Sequence, residues 1–194
     1  RNFTNRPALE PPDFFCTEGG KPKVYCELNE VACIPKDEQK DRIYELLKDN
    51  CDIRFCMDEE SSDFKFITLE HFVIFAMDSR GNSFGTIGGC GNMDDKRYPV
   101  GYVTLDGKCG KIAGNLKEFI ELVNYYPYWY SVIQCEKSKL DYSIEELEEH
   151  YRMHTEDYRK NQEKIAKVLG LKRDERAIEL LLLSLRTDSQ FIVF

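Results

Sequence analysis

FVIFAMDSRGNSFGTIGGCGN, residues 72–92, is the stretch on which the reading of this chain turns. An unbroken apolar run ends in DSRGN, and five glycines fall between Gly81 and Gly91. Two readings compete: a loop that cradles a phosphate, or the turns of a folded sheet. A Walker-type loop requires G-x-x-x-x-G-K and then Ser or Thr, set between a strand and a helix so that backbone N–H groups meet the anion. The nearest match, GKCGKIAG from Gly107, has a different spacing and puts Ile112 where the hydroxyl belongs. GTIGGCGN, from Gly85, does not satisfy G-x-G-x-x-G. Glycine also supplies the positive φ of turns and bulges. The stretch therefore reads as a strand, a turn and a second strand.

Working outward, PVGYVTL (99–105) and CGKI (109–112) read as strands on either side of DGK, a hairpin signal. Residues 64–113 are expected to form an antiparallel meander of about four strands. Asn115 caps the next helix, with Glu118 three residues on; Leu116, Phe119, Ile120 and Val123 share a face, and Pro127 ends the run. Upstream, KDEQKDRIYELLKDN (36–50) sets Ile43, Leu46 and Leu47 at helical spacing. A strand is expected within 23–34 and another between Cys51 and Met57. Beyond residue 140, Ser143 and Glu146 make a second capping box. Ile144, Leu147, Tyr151, His154, Tyr158, Ile165 and Val168 mark one stripe from there to Gly170. RAIELLLLSLR (176–186) is apolar nearly all round, so burial on more than one side is expected. FIVF (191–194) is expected to add an edge strand or pack on the core.

The chain has 194 residues and a formal charge of −8, which argues against a binder of phosphate backbones, whose footprint is basic. Its eight cysteines contain no C-x-x-C, so buried reduced thiols are expected rather than zinc ligands or disulfides. No window approaches the roughly 18 apolar residues of a membrane span, and RNFTNRPALEPPDFF lacks the apolar core of a signal peptide. The cytosol is the expected compartment.

Catalytic signatures are absent: there is no G-x-S-x-G, and no cysteine carries a protease context. His150 and His154 stand four apart, near enough on a helix to share a metal ion, but HYRMH lacks the Glu of H-E-x-x-H. The plain reading puts His154 on the apolar stripe, packing by its ring; a metal-dependent enzyme using His150 and His154 is the alternative. No metal and no cofactor is expected. NYYPYWYSVI (124–133) holds the only Trp among residues suited either to a core or to an interface. DEESSD (58–63) and NMDD (92–95) read as acidic loops.

FAMDSRGNSFGTI, a loop, and then GYVTLDGKCGKIAGNLKEFIELV resembles the second half of SUKH-superfamily domains. Those domains show strand, glycine-bearing turn, strand, hairpin and an IA-x-x-(F/L)-x-E-F helix start, here Ile112 to Phe119. The resemblance implies an α+β fold: an antiparallel sheet of about four to six strands flanked by helices. It places the domain over 1–139 and a helical C-terminal extension, packed on it, over 140–194. It further implies a bacterial immunity protein of a polymorphic toxin system, which blocks a cognate toxin by direct binding and contacts neither nucleic acid nor membrane. The toxin is expected to be basic, often a nuclease; a regulatory adaptor on the same fold is the other binding reading. The interaction surface is expected at Asp58, Glu59, Glu60, Asp94, Asp95, Tyr128, Trp129 and Tyr130.

Overall fold

The structure, a computed structural model, describes residues 30–57, 66 and 68–187. Two short strands, β1 (Glu30–Val31) and β2 (Arg54–Phe55), bracket the first helix, α1 (Arg42–Cys51). The meander follows as β3 (Phe72–Met77), β4 (Ser83–Ile87), β5 (Val100–Val103) and β6 (Cys109–Ala113). Five helices complete the described chain: α2 (Leu116–Tyr125), α3 (Trp129–Ser138), α4 (Ile144–Met153), α5 (Tyr158–Leu169) and α6 (Ala177–Thr187). The fold is α+β, as expected. DEESSD, FIVF and most of 23–34 lie outside the described residues.

Turn chemistry sets the meander. At DSRGN, Asp78 Oδ1 accepts the N–H groups of Arg80 and Asn82, and Gly81 supplies φ +83°. At TLDGK, Gly107 sits at φ +79° while the Thr104 hydroxyl accepts the N–H of Lys108. These turns pair β3 with β4, β4 with β5, and β5 with β6, all antiparallel.

The sheet as a whole is mixed, which corrects the wholly antiparallel expectation. β1 lies parallel to β3 against Val73 and Ile74, whereas β2 lies antiparallel against Ala76 and Met77, so both share the outer edge of β3. The excursion through α1 reverses the chain between them.

Helices cover one face of the sheet. Phe84 and Tyr102 of the sheet meet Trp129 edge-on at 5.8 Å each, and Phe119 of α2 packs 5.2 Å from Phe84. Ile43 and Leu47 of α1, Ile165 of α5 and Leu181 of α6 join the same cluster. The helices beyond residue 140 thus share the core of the sheet. The other face carries a smaller cluster of Cys56, Phe72, Ile74, Ile87 and Val103.

Two further expectations need correction, on the stripe from Ser143 to Gly170 and on α6. The segment from Ser143 to Gly170 is two helices, because the chain breaks after Met153 and Asp157 adopts a left-handed φ of 53°. The break changes the phase of the stripe, so His154 is exposed rather than packed, and Val168 is 65% exposed. The aromatic cluster is partly α3, for which Pro127 is a lead-in as much as a stop for α2. On α6, Leu181 is buried while Leu180 and Leu183 are exposed, so its apolar circumference is not fully covered.

Candidate functional site

α1 is amphipathic, and its two flanks border the two clefts of interest. Asp41 caps it, accepting the N–H of Ile43 at 3.1 Å. Its far end is fixed three times over. The Tyr151 hydroxyl donates to the carbonyl of Asn50 at 3.1 Å, and the Ser79 hydroxyl and N–H donate to the Asp52 carboxylate at 2.7 and 3.0 Å. Asp52 itself holds a left-handed φ of 56°. Buried Asp78 lies next to this anchor. Burial pushes its carboxyl up from the usual range, hydrogen bonds from Asn82 oppose the shift, and the charge of Asp52 adds to it.

On one flank, Ile43, Tyr44 and Leu47 of α1 face a cavity of about 450 Å³, within the range of ligand pockets. Val73, Phe75 and Thr86 of the sheet form its floor, Leu116 and Ile120 of α2 one wall, and Cys90–Met93 part of its mouth. The glycines of residues 88–91 make that mouth possible. A Cβ on Gly89 would lie 2.7 Å from the Tyr98 ring, and Gly88 has φ +91°. The loop therefore folds down over Tyr98, whose other neighbour is the Arg97 guanidinium 5.0 Å from the ring centre. The question raised by the glycine-rich stretch is answered here by backbone approach and positive φ.

Among the described residues, Glu38 is the one carboxylate lining the cavity. The Tyr44 hydroxyl is pushed up from its ordinary pKa by burial and then by the charges of Glu38 and Asp41. The Cys90 thiol is pushed up by burial and by Glu30. Burial is the larger cause of both shifts; of the three carboxylates only Glu38 lines the cavity, since Glu30 lies 3.0 Å from His71 Nε2 and Asp41 caps α1.

On the other flank, Arg42, Glu45, Leu46 and Asp49 line a cleft of about 300 Å³ against Glu156, Asp157 and Asn161. Four carboxylates converge with one guanidinium. Asp157 has Lys160 at 3.7 Å, but Glu45, Asp49 and Glu156 make no side-chain hydrogen bond or ion pair among the described residues. A cleft walled by unneutralised carboxylates attracts cations.

The expected interaction residues are not brought together as one face. Trp129 and Tyr128 are 2% and 3% exposed: α3 turns both rings into the core, which corrects their assignment to a binding surface. Tyr130 is half-buried under the Arg80 guanidinium at 4.9 Å. Asp94 is exposed at the loop that borders the cavity. Asp95 already has a partner, since Arg97 donates Nε and Nη2 to its two carboxylate oxygens at 3.0 and 2.7 Å and holds its carboxyl down to about 2. Asp58, Glu59 and Glu60 lie outside the described residues.

His150 and His154 stack with ring centres 4.5 Å apart, both exposed, and His154 Nδ1 donates to the His150 carbonyl at 2.7 Å. One nitrogen of the pair is thereby committed to the backbone. Among the described residues no group of three or more His, Cys, Asp or Glu side chains could hold a metal ion. Cys51 is a buried free thiol, raised by burial, with Sγ 4.0 Å from Asn124 Oδ1. No helix of the described residues is long and apolar enough to cross a membrane.

Ile43, Leu46, Leu47, Leu116 and Ile120 were read from the sequence as apolar helix faces, but nothing there marked them as lining a cavity or a cleft. One weak signal for the cleft was present: Glu45 and Asp49 are like charges four apart, although Glu45 also has Arg42 and Lys48 three residues away on either side.

No family model, curated protein or solved structure matches this chain.

Proposed function

We propose that this chain is a non-enzymatic binding protein of the immunity type, which neutralises a basic toxin by covering it. The observation that carries the reading is the cleft beside α1, where Glu45, Asp49 and Glu156 line one space with Arg42 and make no side-chain hydrogen bond or ion pair among the described residues. Carboxylates gathered without internal partners repel one another, which weakens the free protein. A cationic partner relieves that repulsion on docking. The formal charge of −8 extends the same field and speeds encounter with a basic surface, while close contact at the cleft governs release. Occlusion requires no reacting group on this chain. The resemblance to SUKH domains points the same way.

The test is coexpression with the toxin encoded beside its gene, in cells that the toxin arrests. Growth is expected to return with the wild-type chain. It is expected to fail with Glu45→Lys/Asp49→Lys, which reverses two exposed charges without touching the core. If the protein captured by this chain from its own host is a non-toxic cellular component, and no neighbouring toxin is neutralised, the adaptor reading replaces this one.

A further inference from the structure

We infer that the cavity beside α1 receives the apolar side chains of a cationic amphipathic segment of the partner, which lies across α1 with its basic side chains in the acidic cleft. The inference rests on the binding reading above and names the contact.

Geometry supplies the first argument. Positions 43, 44 and 47 border the cavity and positions 42, 45, 46 and 49 border the cleft, so the two lie on opposite flanks of one helix. An α-helix with its side chains is only about 10–12 Å across, so one short segment can straddle α1 and reach both. Size supplies the second. At about 450 Å³ the cavity exceeds any one aliphatic side chain and fits a cluster of anchors, as grooves for amphipathic segments do.

Charge completes the case and selects the occupant. Glu38 lines the cavity beside Tyr44, Asp41 caps α1 next to it, and Glu45, Asp49, Glu156 and Asp157 outnumber the single guanidinium of Arg42 in the cleft on the far side of α1. An apolar space with an anionic rim favours an apolar ligand that carries positive charge around it and disfavours an acidic one. The site is also built to hold its shape. Tyr151 and Ser79 pin the C-terminal end of α1, and the loop at Cys90–Met93 rests on Tyr98. Such preorganisation leaves less conformational entropy to lose on binding.

The test uses the full chain labelled with ¹⁵N and three probes: indole, a lysine-rich peptide with a central Trp-Leu pair, and its counterpart with glutamate in place of lysine. Indole is expected to shift the amide signals of Gly91, Leu116 and Ile120. The lysine peptide is expected to shift these and the amides of Glu45 and Asp49, binding at least about tenfold tighter than the glutamate peptide at low salt. Cys90→Trp, which fills the mouth from an exposed loop position, is expected to abolish the indole shifts. Glu45→Lys/Asp49→Lys is expected to erase the preference between peptides. Unmoved cavity signals with indole would overturn the inference without recourse to any variant. Indole binding with no preference for the lysine peptide would also overturn it, assigning the cavity to a neutral small molecule instead. Neither result depends on toxin rescue, so a chain that passes here and fails in cells refutes the immunity reading alone.

Discussion

Replacing Trp129 by alanine removes the ring that joins α3 to the sheet. Trp129 is 2% exposed, meets Phe84 and Tyr102 edge-on at 5.8 Å, and meets Tyr130 at 5.5 Å. Truncating a buried Trp to Ala costs about 3–5 kcal/mol in lost transfer energy and cavity formation. That range already contains the edge-to-face contacts, each worth about 0.5–1.5 kcal/mol. Against a domain stability of about 5–15 kcal/mol, the variant keeps a fold only if the parent lies in the upper part of that range. Urea unfolding followed by far-ultraviolet circular dichroism reads the loss directly. With a slope of about 2 kcal/mol per molar, a cost of 4 kcal/mol lowers the midpoint by about 2 M. Trp129→Phe keeps a ring against Phe84 and Tyr102 and is expected to lose much less. A midpoint unchanged in Trp129→Ala, together with lost partner binding, would refute the placement of this ring in the core and return it to the interaction surface.

Gly85 of β4 lies under Phe72, where an added Cβ would come within 2.6 Å of Phe72 Cε2 and 2.7 Å of the Val73 carbonyl oxygen. Gly85→Ala is therefore expected to destabilise by about 1–3 kcal/mol through overpacking, visible as a lower melting temperature; an unchanged melt would show that the β3–β4 register is wrong. Asp78 gives a pH dependence. Its carboxyl is raised in the folded state, chiefly by burial, so the folded chain holds its proton more tightly than the unfolded chain. Stability contributed by that proton is present below about pH 3.9, the unfolded value, and is lost as pH rises through the higher folded value. Asp78→Asn, which keeps an acceptor for the N–H groups of Arg80 and Asn82, is expected to flatten this part of the stability–pH curve, and an unaltered slope would sink the assignment.

The meander and α2 were legible because their determinants are local. DSRGN and DGK carry their turn geometry within five residues or fewer, and Asn115 caps α2 within one turn, its Oδ1 accepting the N–H of Glu118 while Glu118 Oε2 accepts the N–H of Gly114, a variant of the capping box. β1 and β2 fall inside the two spans where strands were expected, 23–34 and Cys51 to Met57, but their pairing and direction were not legible, since each is two residues long and is held by the edge of β3. α3 had a signal that the density of rings obscured. Trp129, Val132 and Ile133 are spaced i, i+3, i+4 and are all buried, which is the helical pattern. The cavity is a harder case. Its walls come from α1, α2, the sheet and the loop at residues 90–93, and each apolar residue there looks like any other core residue until the elements are assembled. The acidic cleft differs in kind. Glu45 and Asp49 repel each other on α1 by about 0.2–0.5 kcal/mol, and neither finds a partner within the described fold. Glu45, in the first turn of α1 with Arg42 and Lys48 three residues away on either side, recovers part of that cost from the helix dipole and its neighbours, whereas Asp49 lies in the last turn, where the dipole disfavours a carboxylate. On the binding reading proposed above, the acidic flank of α1, and not the buried aromatic cluster around Trp129, is where a partner's positive charge has the most to contribute.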